Sequence, residues 1–387
     1  MRRRAIGAAA LGAALTLPVL SEARVVRPVR PATDRWRTLP IEPRGDTLLG
    51  ISLRLPQVDA LGLEPRAALD RLLAYPFQLL RLGAYWNRLE PAAGQFVTDE
   101  LDALIDAAER AGKHVLLGLG AVKNFGYPEF FVPPHRLTRA IPEGALVHAD
   151  DYAWLLQPAL EHLRRVVERY RERACIVGWQ IEHESVDPLG LEHSWRLAAD
   201  FVNAEIAAVT NADPFHRPIV LNGFLPMSIP VAAQQWWRTR DQGDSLAFAV
   251  DHADIVGLDV YPRHGLVSLG PLTVYLDGGD RPTQRRLRMA LIGRAKARGR
   301  RVMISEGQAE PWETVVEPPD PAGGVMYSCA PEQMVRTYNA CMRWTDGLYA
   351  FLFWGAEYWL ARERTGDSSY LRAFARVLDA SGVASAA

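Results

Sequence analysis

Cys175-Ile-Val-Gly-Trp-Gln-Ile-Glu-His-Glu184 is the stretch that decides the fold. It begins as an apolar run and ends in a carboxylate, an imidazole and a second carboxylate. In a closed parallel barrel the apolar part of each strand fills the core, and its carboxyl end faces the mouth. The stretch therefore predicts a buried strand that presents Glu182, His183 and Glu184 at the mouth of a barrel.

The same alternation of a short apolar run and an amphipathic segment continues along the chain. Strands are predicted at Thr47–Leu55, Leu79–Trp86, Val115–Val122, Ile176–Glu184, Pro218–Phe224, Asp254–Tyr261, Arg301–Glu306 and Ala350–Trp354. Helices are predicted at Glu64–Phe77, Thr98–Ala111, from Asp150 or Asp151 to near Ala174, Leu191–Val209, Gln234–Val250, up to Gly299, Glu332–Trp344 and Ser368–Ala380. Short strands separated by helices form parallel sheets that are covered on both faces. The pattern predicts an α/β fold, a single (β/α)8 TIM barrel over residues 47–387.

A doubly wound sheet is the alternative, and the first turn argues against it. Such a sheet usually carries a glycine-rich phosphate loop after its first strand. The corresponding turn here is Ser52-Leu-Arg-Leu-Pro-Gln57, which contains no glycine.

The composition of the chain indicates which kinds of binding partner to expect. The 387 residues are 49% hydrophobic and 23% charged, as in soluble globular proteins. The net charge of −1 predicts no attraction to nucleic acid or to an anionic membrane. Three cysteines, an odd number, argue against a disulfide framework. No C-x-x-C or H-x-x-x-H spacing indicates a structural zinc site, and we predict no metal and no cofactor.

The N-terminus has the pattern of an export signal. Three arginines, Arg2 to Arg4, precede an uncharged run from Ala5 to Leu20 and the small-x-small sequence Ser21-Glu-Ala23. This predicts a signal peptide over 1–23, cleavage after Ala23, and a secreted or periplasmic protein without stable membrane association. An uncleaved anchor and a cytoplasmic start are the alternatives. The Arg- and Pro-rich segment 24–46 is interpreted as a linker or a lead-in that lies on the surface.

The predicted strand ends bring two glutamates to one mouth. Glu184 ends the fourth strand and Glu306 the seventh, 122 positions apart. A protonated carboxyl opposite a charged one suits glycoside cleavage, and a nearby arginine such as Arg81 would keep the second one charged. Glu182 competes with Glu184, because strand periodicity places both on one side. Glu184 is preferred as the residue nearer the mouth.

Four motifs in order resemble clan A glycoside hydrolases of the cellulase-like family five and galactosidase-like family forty-two type. They are Arg81-Leu-Gly-Ala-Tyr-Trp-Asn-Arg-Leu-Glu-Pro-Ala-Ala-Gly-Gln-Phe96, Gly178-Trp-Gln-Ile-Glu-His-Glu184, Ile304-Ser-Glu306 and Phe353-Trp354. The resemblance implies a retaining enzyme acting on a β-linked sugar, with Glu184 as acid/base and Glu306 as nucleophile. It also implies that Arg81 and Tyr261 contact Glu306.

A carbohydrate is thus the expected partner. The substrate-binding candidates are the polar and aromatic residues at the strand ends and following loops: Arg81, Trp86, Asn124, His183, Asn222, Tyr261, Trp312 and Trp354. His183 departs from the resemblance, since the family usually has Asn there, reaching the 2-hydroxyl of the sugar. A histidine still donates a hydrogen bond, so the sugar's 2-position is where this chain is expected to differ.

Two other functions and several plainer roles compete with this interpretation. A metal-dependent barrel hydrolase would use His183, Glu182 or Asp259, and a barrel that binds carbohydrate without cleaving it would need no catalytic pair. Three tryptophans in predicted helical segments are expected to pack in the core or between helices: Trp195, Trp236 and Trp237. Glu310 and Glu357 are expected on loops, as substrate contacts or solvated charges.

Overall fold

Eight parallel strands close into a barrel in this computed structural model, which describes residues 22–187, 193–278, 282–312, 324–344 and 347–382. Barrel strands one to eight are Leu48–Leu53, Leu79–Gly83, His114–Gly118, Ile176–Gln180, Ile219–Phe224, Ile255–Val260, Arg301–Gln308 and Ala350–Trp354. Each strand pairs with the next in sequence, and the eighth pairs with the first. The predicted (β/α)8 barrel is confirmed.

Helices surround the barrel. Those of the described residues are Leu55–Ala60, Pro65–Leu73, Trp86–Leu89, Asp99–Arg110, Ala153–Tyr170, Ala199–Ala212, Ile229–Thr239, Ser245–His252, Pro282–Ala297, Pro331–Met342, Ala356–Arg364 and Ser369–Ser381. Two single 3-10 turns lie at Arg35–Arg37 and Pro134–Arg136. No helix in the described ranges is long and apolar enough to span a membrane.

Strand two illustrates how the sequence divides its side chains between two cores. Leu80 and Leu82 belong to the large apolar cluster shared with the outer helices, whereas Leu79 packs inside the barrel. Successive side chains of a strand point to opposite faces, so Arg81 also points inward, one layer closer to the mouth than Leu79. Burial on both faces explains why the strands are apolar almost throughout.

Two predicted helices differ from the structure. The helix predicted at Leu191–Val209 begins at Ala199, and the one predicted at Gln234–Val250 is two helices, Ile229–Thr239 and Ser245–His252. Between these two, the Gly243 N–H donates to the Thr239 carbonyl, and Gly243 has a φ of +85°, in the left-handed region that favours glycine.

The predicted packing of three tryptophans was wrong in part. Trp195 is buried, but it precedes the helix and stacks on His193 with ring centroids 3.8 Å apart. Trp236 and Trp237 are helical, but their side chains are 66% and 61% exposed. Apolar spacing in a surface helix did not reveal which of its faces is covered.

Short strands also pair outside the barrel, and some of them belong to the lead-in. Ala23–Val26 pairs with Leu272–Asp277, which forms a hairpin with Arg263–Leu269. Val29–Arg30 pairs with Val325–Met326, and Leu146–Val147 pairs with Arg196–Leu197. Residues 1–21, which carry most of the predicted signal peptide, lie outside the described residues.

Two buried carboxyl groups, those of Glu182 and Glu205, lie between the end of strand four and the helix Ala199–Ala212. Glu182 accepts hydrogen bonds from the backbone N–H groups of Val122, at 2.9 Å, and Lys123. Glu205 is buried beside it, and burial together with the charge of Glu182 raises the pKa of Glu205 well above its ordinary value. The folded state therefore favours the protonated form of Glu205, whereas the same residue in the unfolded chain ionises above about pH 4.3.

This difference predicts that the fold loses stability as the pH rises. Above about pH 4.3, the folded state binds one proton that the unfolded state has released, so the free energy of unfolding falls with pH. Glu205→Gln removes that proton uptake, and we expect it to stabilise the fold at pH 8 and little at pH 4, because each pH unit over which only folded Glu205 keeps its proton costs about 1.4 kcal/mol. Urea unfolding at both pH values measures this, with Glu168→Gln on an exposed helix face as the control. Parallel pH dependence in Glu205→Gln and the unchanged chain would contradict the prediction.

Candidate active site

Glu306 lies on the inner face of strand seven and is fixed by two donors. Arg81 donates from Nη1 to Oε1 at 2.9 Å, and the Tyr261 hydroxyl donates to Oε2 at 2.5 Å. Both contacts are those that the sequence resemblance implies. A carboxylate held through both oxygens has one orientation, and Glu306 is only 1% exposed.

A bulge turns Glu306 inward. Strand six pairs Leu258 with Ile304 but Asp259 with Glu306, so Ser305 is the extra residue of strand seven. Val302 and Ile304 belong to the outer cluster, and simple alternation would send Glu306 outward too. A bulge re-aims the side chains that follow it, and such bulges are common beside active sites.

The charge state of Glu306 is set by opposing influences. Burial raises the pKa of Glu306, while the Arg81 guanidinium and the Tyr261 hydroxyl lower it. Charge-assisted hydrogen bonds to a carboxylate favour its ionised form. Burial is the larger influence, so the pKa of Glu306 lies above its ordinary value, and the two donors offset part of that rise. The arrangement gives a buried, oriented carboxyl whose ionised form Arg81 and Tyr261 stabilise, as a nucleophile requires.

Glu182 and Glu184 do not point to the same side, although they are two residues apart. Strand four ends at Gln180, and the φ angles of Glu182 and Glu184 are +49° and +43°. Because the backbone leaves the extended conformation, the period-two argument fails here. Glu182 turns away to the Val122 and Lys123 amides, and Glu184 faces the charged residues of the mouth.

Glu184 is suited to hold a proton. It is 6% exposed, and burial together with the charges of Asp259, Asp187 and Glu306 raises the pKa of Glu184 well above its ordinary value. Its carboxyl hydrogen bonds to Asp259, which is itself buried and accepts from Ser305 Oγ at 2.6 Å. Neighbouring carboxyls that repel one another retain a proton between them. The site thus combines a protonated carboxyl with an oriented carboxylate.

Asn222 connects these groups and fixes the tautomer of His183. Its Oδ1 accepts from Gln180 Nε2 at 3.0 Å and from the Glu184 N–H at 3.4 Å, so its Nδ2 is the donor. Nδ2 lies 2.6 Å from Asp259 Oδ2 and 2.9 Å from His183 Nδ1. Nδ1 therefore accepts, and a neutral ring carries its proton on Nε2. Burial and the charges of Arg81 and Lys123 lower the pKa of His183 well below its ordinary value, which keeps the ring neutral.

Aromatic rings line the mouth. The side chains of Phe125, Phe224, Tyr261 and Trp354 form one cluster, separate from the two core clusters. Trp312 extends it to the surface: its ring meets Tyr261 edge-on at 4.6 Å, and its side chain is 38% exposed. Flat apolar rings beside carboxylates are a surface on which a sugar ring can stack.

A buried ion cluster that the sequence did not predict lies beside Trp354. Arg54 donates to Glu310 through Nη1 and Nη2, both at 2.6 Å, and to Glu357 Oε2 at 2.7 Å. The guanidinium carbon lies 4.3 Å from the centroid of the Trp354 ring. Glu310 and Glu357 are buried, so neither is a solvated charge. An arginine in the otherwise apolar stretch after strand one was the available signal.

The loop after strand three supplies further groups that sequence reasoning missed. Phe125 covers Arg81, with the guanidinium carbon 3.9 Å from the ring centroid. Burial and the charges of Glu310, Glu129 and Glu306 raise the pKa of the Tyr127 hydroxyl. Glu129 Oε2 is shielded from solvent without a hydrogen-bond partner among the described residues, and burial raises the pKa of Glu129 to about 7.

Two substrate-binding candidates lie outside the cleft. Trp86 is fully buried in the helix Trp86–Leu89, donates from Nε1 to Glu90 at 2.7 Å and stacks on His162. Asn124 is buried and donates to the Gly118 carbonyl at 3.1 Å, while its Oδ1 accepts from the Phe125 N–H at 2.9 Å. Helix packing and loop bonding occupy these side chains, so neither meets a substrate. Arg81, which contacts Glu306 instead, is a positioning residue.

One group of possible metal ligands coincides with this site. Ligand atoms of His183, Asp259 and Glu306 all lie within 4.8 Å of one another. Each residue already has protein partners, since Asn222 meets His183 and Asp259, and Arg81 meets Glu306. A cation at this position would compete with the Arg81 guanidinium for Glu306 Oε1.

Comparison with known proteins supports the fold. No protein-family model matches the sequence, and no curated protein matches it. Among solved structures, GH5_18 from Streptomyces cattleya in complex with GlcNAc is similar, with a TM-score of 0.57, 15% identity and coverage of 88% of this chain and 80% of that one. A variant of the same protein, in complex with Manb1-4GlcNAc, gives a TM-score of 0.56 and 16% identity over 86% of this chain and 80% of that one.

A xylanase structure is also similar. Xylanase 10B from Thermotoga petrophila in complex with xylobiose has a TM-score of 0.52 and 13% identity, and the match covers 86% of this chain and 94% of that one. At such identities the likeness establishes a shared fold. The resemblance to clan A barrels that the motifs indicate is therefore confirmed for the architecture.

Proposed function

We propose that this protein is a retaining glycoside hydrolase that cleaves a β-linked glycoside or polysaccharide. The observation that carries the proposal is the pairing of Glu306, an anion oriented by Arg81 and Tyr261, with Glu184, a carboxyl kept protonated by its neighbours. Both face one aromatic-lined mouth. Glycoside cleavage with retention requires such a pair, one carboxylate to attack and one acid to assist departure. The fold shared with solved glycosidases agrees with this assignment.

The reaction proceeds in two displacements. Glu306 attacks the anomeric carbon, and Glu184 protonates the glycosidic oxygen as its bond to that carbon breaks. The products of this step are a free leaving group and a glycosyl ester of Glu306. Glu184, now ionised, removes a proton from water, the water oxygen bonds to the anomeric carbon, and Glu306 departs as a carboxylate. The sugar keeps its β configuration because the centre inverts twice.

His183 takes the position beside the reacting sugar that the family usually gives to Asn. Its Nδ1 is engaged by Asn222, which leaves the Nε2 proton as the group to donate to a sugar hydroxyl. Because the ring is neutral, this donor adds no charge beside Arg81. Asn222 acts through His183 and is a positioning residue.

A substrate panel with product stereochemistry tests the proposal. Wild-type protein is incubated with 4-nitrophenyl glycosides of both anomers and several sugars, and the anomer first released is identified by proton NMR. We expect hydrolysis of a β-glycoside with initial formation of the β-sugar. Initial formation of the α-sugar would refute retention, and no hydrolysis of any β-glycoside or polysaccharide would refute the function.

A metal-dependent hydrolase is the second candidate, favoured by the ligand atoms of His183, Asp259 and Glu306. Its prediction is that a chelator abolishes hydrolysis and that a divalent ion restores it. The pairing of Glu306 with Arg81 leads us to expect unchanged rates after treatment with EDTA. A loss of activity reversed by zinc or manganese would favour the metal mechanism.

Tyr261→Phe separates positioning of the nucleophile from simple packing. The Tyr261 hydroxyl lowers the pKa of Glu306, so its removal raises that pKa and shifts the acidic limb of kcat/KM to higher pH. We also expect kcat to fall about 10- to 100-fold, from the loss of one hydrogen bond to a charged group. Tyr338→Phe is the matched control, since its hydroxyl donates to the Glu42 carbonyl away from the mouth. An unmoved acidic limb would contradict the assigned role.

We further propose that the protein is exported, on the basis of the arginines and apolar run at its N-terminus. Fractionation of cells that express the full chain, with N-terminal sequencing of the product, tests this. Product that begins at Arg24 and lies outside the cytoplasm is expected. Product retained in the cytoplasm with its N-terminus intact would refute it.

A further inference from the structure

The geometry points to exo action: the reacting sugar is the terminal, non-reducing sugar of its substrate, and a wall of loops closes the mouth behind it. This inference rests on the proposed hydrolase function and specifies its substrate class. Three observations carry it: the position of Trp354 relative to Glu184, the bonds that join the loops beside Trp354, and the polar groups on the loop after strand three.

The Trp354 ring indicates where the reacting sugar lies. Glu184 on strand four must reach the glycosidic oxygen, so the leaving group lies on that side of the mouth. Trp354 ends strand eight, on the far side of Glu306. A sugar ring that stacks on Trp354 with its anomeric carbon at Glu306 therefore extends towards strands eight and one. Its non-reducing end points away from Glu184.

Bonds between described residues join the loops on that side. Arg54, from the turn after strand one, joins Glu310 after strand seven and Glu357 after strand eight through buried ion pairs. In the same turn Gln57 donates from Nε2 to the Tyr127 carbonyl at 3.4 Å. These bonds connect the loops after strands one, three, seven and eight to one another.

Gly126 allows the loop after strand three to pack closely against the turn after strand one. Its φ is +105°, and a Cβ there would lie 2.8 Å from Gln57 Oε1 and 3.5 Å from the Arg54 Cβ. Any larger residue would separate the two loops or strain the backbone. The Tyr85 hydroxyl fixes the same loop from below, donating to the Phe125 carbonyl at 2.9 Å. The wall is thus built into the fold by specific contacts.

The loop after strand three carries polar groups of the kind that bind sugar hydroxyls. Glu129 Oε2 is a shielded acceptor without a partner among the described residues, and Tyr127, two residues earlier on the same loop, carries a hydroxyl. A buried acceptor is costly unless it is hydrogen-bonded. The hydroxyl groups of a terminal sugar would satisfy Glu129, whereas a further sugar unit would have to displace the Arg54 wall.

A cap on the terminal sugar tests the inference. The probe is the 4-nitrophenyl β-hexoside that the wild-type protein hydrolyses best, compared with its 4-O-methyl ether, whose added group lies opposite the anomeric carbon. We expect kcat/KM for the capped glycoside to be lower by about 100-fold, the discrimination a fitted pocket gives against an added group. A reducing-end-labelled tetrasaccharide of the same sugar should shorten by one unit at a time.

Tyr127→Ala provides the matched test of the wall. We expect the ratio of capped to uncapped kcat/KM to rise about 10-fold, because removing the ring would make room for the added methyl group. Both substrates are measured on one preparation, so partial loss of folded protein cancels in the ratio. Tyr75→Ala, on the loop before strand two at the opposite end of the barrel, should leave the ratio unchanged.

The possible results distinguish a failure of exo action from a failure of the proposed hydrolase function. Hydrolysis of the capped glycoside at the uncapped rate, or internal cleavage of the tetrasaccharide, would overturn exo action and leave the hydrolase assignment intact. No hydrolysis of any uncapped substrate would overturn the hydrolase assignment, and the inference with it. A rise in the ratio for Tyr75→Ala equal to that for Tyr127→Ala would overturn the role of the wall.

Discussion

Replacing Glu306 with alanine should lower kcat on an aryl β-glycoside by at least about 10⁴-fold, while the fold persists. The side chain supplies the attacking oxygen, and no neighbour replaces it: Asp259 is bonded to Asn222 and Ser305, and Glu310 is bonded to Arg54. The expected loss is at least that of removing a general acid, since no covalent intermediate then forms. Initial rates with a 2,4-dinitrophenyl glycoside, and thermal unfolding of the same samples, measure both quantities.

Azide makes the Glu306→Ala result specific. The vacated space lies beside Arg81 and Tyr261, which oriented the carboxylate, and it suits a small anion. Azide at this position attacks the anomeric carbon directly and displaces dinitrophenolate, so the product has inverted, α configuration. Formation of the α-glycosyl azide with a partly restored rate is expected. An unchanged rate in Glu306→Ala would remove Glu306 from the chemistry, and a β-azide product would assign it to the acid/base role.

The barrel could be predicted from the sequence because each of its strands is apolar on both faces. That property depends on local composition and repeats with the strand–helix unit, as Leu79, Leu80 and Leu82 show by packing on two sides of one strand. Glu306 and Tyr261 could be found for a related reason. They follow apolar runs, and a parallel barrel brings all such strand ends together.

Local backbone geometry limited how much of the remaining site could be predicted from the sequence. The strand period does not distinguish Glu182 from Glu184, because the distinction arises from two left-handed residues beyond the end of strand four. The bulge at Ser305 likewise leaves no signature in residue type. Trp86 was misplaced because a short helix begins at that residue and turns its ring towards His162.

Pairing between residues far apart in the sequence limited the prediction of the site as well. Arg54 is 256 positions from Glu310 and 303 positions from Glu357 along the chain, and nothing in the local sequence indicates that the three form one cluster. Considered singly, each glutamate resembles a solvated loop charge. Only the closure of strand eight against strand one brings them to the same arginine. The wall that distinguishes exo from internal cleavage was therefore beyond sequence reasoning.

Glu184→Ala should affect the two halves of the reaction differently. A 2,4-dinitrophenolate leaving group needs no protonation, so formation of the glycosyl ester on Glu306 continues at close to its normal rate. Hydrolysis of that ester slows by about 10²–10⁴-fold, because no base activates water. A burst of dinitrophenolate equal to the enzyme concentration, followed by slow turnover, is expected. With a poor leaving group such as methanol, the first step itself is expected to slow by a similar factor.

Azide then distinguishes Glu184 from Glu306 by stereochemistry. In Glu184→Ala the nucleophile is intact, so azide attacks the glycosyl ester from the face that Glu184 occupied and gives the β-glycosyl azide. It needs no base, which restores turnover of the dinitrophenyl glycoside. Glu182→Gln is the matched control, because its side chain contacts the Val122 and Lys123 amides and faces away from the cleft. We expect no burst and no azide product from that control. A β-azide from Glu182→Gln, with none from Glu184→Ala, would exchange the roles of the two glutamates.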